Sequence, residues 1–500
     1  MMLPTNKILN EWFKDADEDK MNSFWFDKSI DKYITETYKE LVDSITIDNY
    51  KDYIHDKNDK IALLLIGDQF TRNIYRDSKY KTKNDIWALE LAINIISSNN
   101  DLDYQLNYRY FILLPLRHAK KSGLLDIVYN SLHLYLQKYN DSKSLMKFYN
   151  HTIKDFSMLT DTIKTGTNVV YNKKFNNILE KYIKIDREIN FENIYDKCNG
   201  FTNVGISLSG GVDSMVLLHA LRSRCNVVAI HLEYCNRDEG QLEREFLEYY
   251  CNKIGVKLYY RTIDYMKRHD KYIDRTTFEI ESRRARFNLY KYVIEEEKLE
   301  GICLGHHSGD IVENVFTNII KGRSVSDMTV MKEKQEQDNV VLFRPFLKLN
   351  KTELIELAHC IGIPYFLNST PFWSCRGVLR DNVIPILQKQ FGNFESNIIK
   401  FTEEVEMYTS FYDKMMNHKF KKEKLENVTK VEFDKSMEIN NIMIEKLLLD
   451  IMHERGYKMV THKCKLNFIN WLKGTMNNKI GLGKHMLCYY KDNYLYFSVI

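Results

Sequence analysis

The chain has 500 residues, 44% hydrophobic and 13% aromatic, enough for about three domains and too rich in core-forming side chains for disorder. Its 72 Lys and Arg nearly offset 68 Asp and Glu, a net charge of +4 that by itself demands no nucleic-acid partner. Apolar runs such as IALLLIG from Ile61 fall short of the roughly 20 residues a membrane helix needs, and the acidic start lacks the apolar centre of a signal peptide.

Residues 1–165 read as helical. Apolar positions recur at three and four in IWALELAINII from Ile86 and in LLDIVYNSLHLYL from Leu124. Residues 166–198 are Lys- and Asn-rich and read as a partly helical connection. From about 200 the period changes. NVGISL from Asn203, NVVAIHL from Asn226, VKLYYRTI from Val256 and GICLGHH from Gly301 are short β-rich runs. Helical patterns over Met215–Arg222, Leu242–Ile254 and Phe278–Glu297 separate them. The alternation predicts a parallel sheet covered on both faces, with ligand beyond the carboxyl ends of its strands. From about 395 the chain reads as helical again, and CYYKDNYLYFSVI from Cys488 reads as a strand or hairpin turning at KDN.

The most informative stretch is LSGGVDS, Leu208–Ser214, between the first β-run and a helix. Gly210 and Gly211 let backbone N–H groups turn toward an anion, and the helix start at Val212 adds positive dipole. Ser209 and Ser214 offer hydroxyls. Asp213 would repel phosphate unless a hard cation such as magnesium lies between them. An ordinary capped strand–helix corner is the competing reading. No G-x-x-x-x-G-K-[ST] occurs, so a Walker-type lysine for the terminal phosphates is absent from the loop. The nine cysteines all lie from Cys198 onward with no C-x-x-C pair, which reads as a reduced, cytoplasmic protein without a zinc ribbon or local cluster site.

SGGVDS resembles the loop of the N-type ATP pyrophosphatases, which implies a Rossmann-like α/β fold and ATP cleaved between the α and β phosphates. The resemblance continues in order through AIHLEYCNR (His231, Asn236, Arg237), FEIESRRARFNLY (Glu279, Arg283, Arg284, Arg286), GHHSGDIVENVFTNIIKGR (His306, His307, Asp310, Glu313), LFRPFLKLNKTELIELAHCIGIPYFLNST and RGVLRDNVIPIL (Arg376, Arg380). Together these resemble the tRNA(Ile)-lysidine synthases over residues 199–400, with 401–500 as an accessory, tRNA-binding domain. The resemblance implies that ATP adenylates the wobble cytidine of a tRNA and that free lysine displaces AMP. It implies ATP contacts from Ser209, Gly210, Gly211, Val212, Asp213, Ser214, His231 and His307. Catalytic roles fall to Asp213, Asp310, Glu313 and Arg283, with magnesium on Asp213 and Asp310. Arg237, Glu279, Arg284, Arg286, Arg376 and Arg380 face tRNA or the leaving group. Glu279 also stands four residues before Arg283, a spacing equally suited to an ion pair. Gly309, Tyr234, Cys235 and Gly377 depart from the family pattern, which bears on the amine and the base more than on ATP. Two alternatives remain: tRNA 2-thiolation with a sulfur donor, using Cys235, Cys303 or Cys375, and a non-catalytic nucleotide-binding scaffold.

Residues 1–165 resemble a bacterial helical domain of unknown function, expected to be tetratricopeptide-like. The shared words are WF at Trp12–Phe13, LLLIGDQFTRNIYR from Leu63, FILLPLRHA from Phe111 and NHTI from Asn150. Asp68, Arg72 and Arg76 share one helix face and read as a salt-bridged seam or, less simply, a binding site. The fusion suggests that this module docks a protein partner or part of the tRNA.

Overall fold

The computed structural model describes residues 2–14, 24, 29–98, 100–139, 142–184, 191–236, 238–267, 271–323, 331–367, 375–434, 440–455, 460–474, 476, 478–483 and 486–499. The chain divides into two compact units, Met1–Ser308 with Lys332–Pro371, and Gly309–Met331 with Phe372–Ile500.

The first unit opens with helices α1 (Thr5–Trp12), α2 (Ile30–Ser44), α3 (Lys57–Leu64), α4 (Thr71–Ile74), α5 (Asp85–Ser97), α6 (Leu106–His118), α7 (Ser122–Lys138) and α8 (Lys143–Met158). Between α3 and α4 the helix widens into a π-turn at Leu65–Phe70, the run that contains GDQF. Gly67 is needed there, because a Cβ would lie 2.5 Å from the Trp87 ring. Trp12, Tyr38 and Phe70 pack edge-on and stacked in the core of this region.

After α8 comes a seven-stranded sheet in the order β1-β4-β3-β2-β5-β7-β6. Its strands are β1 (Ile163–Thr165), β2 (Asn203–Ser207), β3 (Asn226–Glu233), β4 (Lys257–Thr262), β5 (Ile302–Cys303), β6 (Lys334–Gln337) and β7 (Val340–Phe343). The five central strands are parallel, and β1 and β6 run antiparallel at the edges. Helices α9 (Val212–Arg222), α10 (Gly240–Lys253), α11 (Arg275–Glu297) and α13 (Lys351–Ile361) cover the sheet within this unit. The four anticipated β-runs and three helices are present. The edge strand β1 and the β6–β7 hairpin were not anticipated. β1 is only three residues long, and the hairpin turns on Asp338 and Asn339 at φ 51° and 60° inside a polar stretch with little alternation.

The helical region shares its core with the segment that follows β4 and the start of α11, whereas the buried strand residues form two further clusters. Ile263, Tyr265, Tyr272, Ile273 and Phe278 pack into the same cluster as Tyr149 and Phe156, and Phe156 stacks on Tyr265 at 4.6 Å. Arg261 of β4 is fully buried and donates to the last carbonyls of α8, Phe156 O and Ser157 O. That is where a helix dipole favours a cation. Ser157 Oγ donates to the buried Glu281 at 2.8 Å. The connecting segment is also tied down: Thr167 donates twice to Glu248, and Phe175 is fully buried.

The second unit contains α12 (Ser308–Ile320), α14 (Ile384–Phe391), α15 (Phe394–Lys419), α16 (Asn441–Glu454) and α17 (His462–Lys473). It also holds an antiparallel sheet in the order β10-β11-β12-β9-β8, formed by β8 (Lys422–Lys424), β9 (Val428–Glu432), β10 (Ile480–Gly481), β11 (Met486–Lys491) and β12 (Tyr494–Val499). The expected terminal hairpin is β11–β12, turning through Asp492 and Asn493 at positive φ. The sequence reading missed the three other strands, whose runs of two to five residues are too short to show apolar alternation.

Candidate functional site

β2 ends at Ser207. The chain turns at Gly210, φ +84°, and enters α9 with Gly211 at the N-cap. Glycine is required at 210 twice over. The φ is left-handed, and a Cβ would sit 1.9 Å from the Phe366 ring, whose own N–H donates to Gly210 O at 2.9 Å. The hydroxyls of Ser209 and Ser214 lie 3.1 Å apart, and Ser214 Oγ donates to Gly211 O at 3.0 Å. The loop is therefore pre-shaped by its own serines, with the start of an eleven-residue helix behind it. This arrangement suits an anion.

Asp213 is in the first turn of α9. The segment after β5 crosses this turn closely: a Cβ on Gly305 would lie 2.9 Å from the Asp213 carbonyl carbon. That approach brings His307, 3% exposed, to 3.9 Å between Nε2 and Asp213 Oδ1. On the other side Lys351 Nζ lies 3.3 Å from Asp213 Oδ2. Lys351 is the first residue of α13, fixed by a capping box between Asn350 and Glu353. Asp213 Oδ1 is buried with no hydrogen-bond partner among the described residues. The sequence reading found no lysine for this site. Lys351 supplies one from 138 residues away, and its only local signal was the N-cap pattern in LNKTE.

His231 lies beneath the loop. Its Nδ1 is 2.8 Å from Leu208 O, and burial holds its pKa below the ordinary value despite that carbonyl, so it braces the strand end as a neutral ring. Glu233, the last residue of β3 and 7% exposed, was also passed over; it accepts from Arg244 Nε at 2.9 Å and from Thr262 Oγ1 at 3.0 Å.

In the second unit, Asp310 and Glu313 lie one turn apart on α12. Arg380 Nε donates to the buried Glu313 Oε1 at 2.6 Å, and Arg380 Nη2 lies 3.8 Å from Asp310. Glu313 Oε2 is buried without a hydrogen-bond partner among the described residues.

The arginines of α11 separate. Arg283 donates to Asp338 at 2.9 Å and lies over the Phe287 ring; Glu279 pairs with Arg275 instead, both exposed. Arg284 bonds Glu281, and Arg286 is half-buried with its Nε unpartnered among the described residues. Arg237 lies outside the described residues, as does the side chain of Arg376. Of the cysteines offered for thiolation, Cys303 is fully buried, and burial followed by Glu233 pushes the Cys235 thiol up to about 11, which disfavours a thiolate. The side chain of Cys375 is not described. Among the described residues no three His, Cys, Asp or Glu side chains are grouped to hold a metal ion, and no helix is long and apolar enough to cross a membrane.

A parallel sheet whose strand feeds a glycine turn and helix start marks a nucleotide-binding α/β class, and the PP-loop domain family matches residues 183–387. Residues 8–184 match a bacterial protein family of unknown function, DUF924. A tRNA(Ile)-lysidine synthase from Chlamydia caviae is 30% identical over 248 residues, spanning 49% of this chain and 75% of the relative. One from Thermotoga maritima is 25% identical over 219 residues, spanning 42% and 51%. The chain belongs to the tRNA(Ile)-lysidine synthase family, a family of ATP-dependent ligases. Among solved structures, a U34-tRNA thiolase from Methanococcus maripaludis aligns at 19% identity with a TM-score of 0.36, covering 44% of this chain and 79% of that one.

Proposed function

We propose that this chain joins free lysine to the wobble cytidine of a tRNA at the expense of ATP. The carrying observation is the loop Ser209–Ser214 with an unsatisfied, buried Asp213 oxygen beside Lys351 and His307. The cytidine carbonyl oxygen attacks the α-phosphorus of ATP, and the bond to pyrophosphate breaks. The lysine amine then attacks the activated carbon, AMP leaves with the former carbonyl oxygen, and the amine loses a proton.

In this reading the loop amides and serine hydroxyls hold the departing pyrophosphate, and Lys351 adds positive charge. Magnesium fits Asp213, because this ion is commonly held by one or two carboxylates plus substrate phosphates. When bound it neutralises charge on the leaving group. Asp310 and Glu313 take their roles from the family motif; their support here is the shared Arg380 clamp and the open Glu313 oxygen. Arg283, Arg284, Arg286 and Glu279, with Arg237 and Arg376, are proposed tRNA contacts. The division proposed is a helical module at 1–165, a connection at 166–198, a catalytic domain at 199–400 and an accessory domain at 401–500.

The test is mass spectrometry of nucleosides from tRNA incubated with the protein, ATP, magnesium and isotope-labelled lysine. A labelled lysidine that disappears in Asp213→Ala supports the proposal. Pyrophosphate release without any labelled nucleoside would overturn it.

A further inference from the structure

The helical region holds a cavity of about 190 Å³ that the reaction above does not use. Its wall is apolar, formed by Tyr110, Phe111, Leu114 and Phe148. Arg117, His118, Lys147 and His151 also line it, and no carboxylate is among its lining residues. The cleft is partly open to solvent, with Lys147 and His151 exposed, and four basic side chains around an apolar wall call for an account beyond packing.

The basic groups are held in place from behind. Arg117 donates to Asp155 at 2.7 Å and lies 5.3 Å from the Phe148 ring centre. His118 Nδ1 is 2.7 Å from Asp68, which is 2% exposed and also accepts from the side chain of Gln69. Gln69 lines the same cavity, so the π-turn at Leu65–Phe70 sets two lining residues through one buried carboxylate. The imidazolium of His151 is disfavoured by burial first, then by Arg117, Lys147 and Lys154, and is favoured by Asp155.

The words that mark this region in the sequence converge here. GDQFTRNIYR contributes Gln69, FILLPLRHA contributes Phe111, Leu114, Arg117 and His118, and NHTI contributes His151. A salt-bridged seam explains Asp68, Arg72 and Asp85. It does not explain why three separate helical segments bring four basic side chains and several aromatic rings around one cleft, with Arg117 over the Phe148 ring.

We propose that this cavity binds a small organic anion, its carboxylate or phosphate held by Arg117, His118 and Lys147 and its apolar body against Phe111 and Phe148. A cavity of roughly 150 Å³ accepts benzene, so a compound of about ten non-hydrogen atoms suits this one. Free lysine does not fit this chemistry, because its ammonium would meet the same cations.

Isothermal titration calorimetry on the full chain tests the proposal with benzoate, phenyl phosphate and uncharged benzamide as probes. At least one anion is expected to bind saturably with one site, with benzamide tenfold or more weaker. Lys147→Met combined with His151→Gln, both at exposed positions, is expected to weaken the anion tenfold or more without lowering the melting temperature. Ser209→Ala is expected to leave that affinity unchanged, which separates this cavity from the ATP loop. The proposal is overturned if neither anion binds at up to roughly 10 mM, where even a site with a Kd of about 1 mM would be nearly saturated. Equal binding by wild type and the double variant, or by benzamide, overturns it as well.

Discussion

Asp68 in the helical region and Asp213 in the α/β region are both aspartates on helices beside a histidine and a cation, yet they differ in completeness. Asp68 is closed in: Arg72, His118 and Gln69 satisfy it, and Arg72 passes the charge on to Asp85 through two bonds of 2.8 Å. Asp213 keeps one buried oxygen without a hydrogen bond, with Lys351 and His307 standing off at 3.3 and 3.9 Å. A closed buried network stabilises or orients. An incomplete one has room for a ligand.

The largest effect expected from this contrast is on catalysis. Asp213→Asn should lower pyrophosphate release by about 10²-fold or more while leaving the melting temperature nearly unchanged. Asp68→Asn should do the reverse, costing about 1–3 kcal/mol, because His118 and Arg72 Nε lose a buried carboxylate while Arg72 keeps Asp85, with a catalytic rate per folded molecule close to wild type. Equal losses of stability in the two variants, measured by urea unfolding, would erase the distinction.

Gly210→Ala comes next. The left-handed φ and the Phe366 ring together should cost about 1–3 kcal/mol and weaken ATP binding, read by calorimetry.

The acid limb of stability is a smaller effect. Burial raises the Asp68 carboxyl, but His118 and Arg72 outweigh it and hold its pKa below the ordinary value. A depressed carboxylate adds stability that is complete above its unfolded pKa near 3.9 and is lost as pH falls through the folded one. Wild type should therefore lose stability below about pH 4 more steeply than Asp68→Asn, measured by unfolding at stepped pH.

Arg283→Ala should have the smallest effect on stability, within about 0.5 kcal/mol, since its bond to Asp338 is between exposed groups. A rise in the KM for tRNA in that variant would count the residue as a substrate contact. An unchanged KM would leave it as a surface pair.

The loop and the four strands β2 to β5 were legible because their signals are local. SGGVDS sits between a β-run and a helix, and the backbone does there what those residues permit. The Asp68 seam was equally readable from its i, i+4 spacing. Lys351 was not, because a residue 138 positions from Asp213 becomes its neighbour only once the sheet has brought α13 beside α9. The pairing of Arg283 with Asp338 escaped for the same reason: the sequence offered Glu279 on the same helix, and the β6–β7 turn supplied a better-placed carboxylate.

β1 has a consequence for how this chain can be cut. Ile163, Lys164 and Thr165 pair with Arg261, Tyr260 and Tyr259, so the tail of the helical module covers the outer rim of β4. A fragment beginning near residue 199 would leave that row of main-chain donors and acceptors bare, a template for self-association. A cut upstream of Ile163 keeps that strand with the catalytic half, but it strips Arg261 of the α8 carbonyls and bares the Tyr265 ring, so either cut is expected to cost stability.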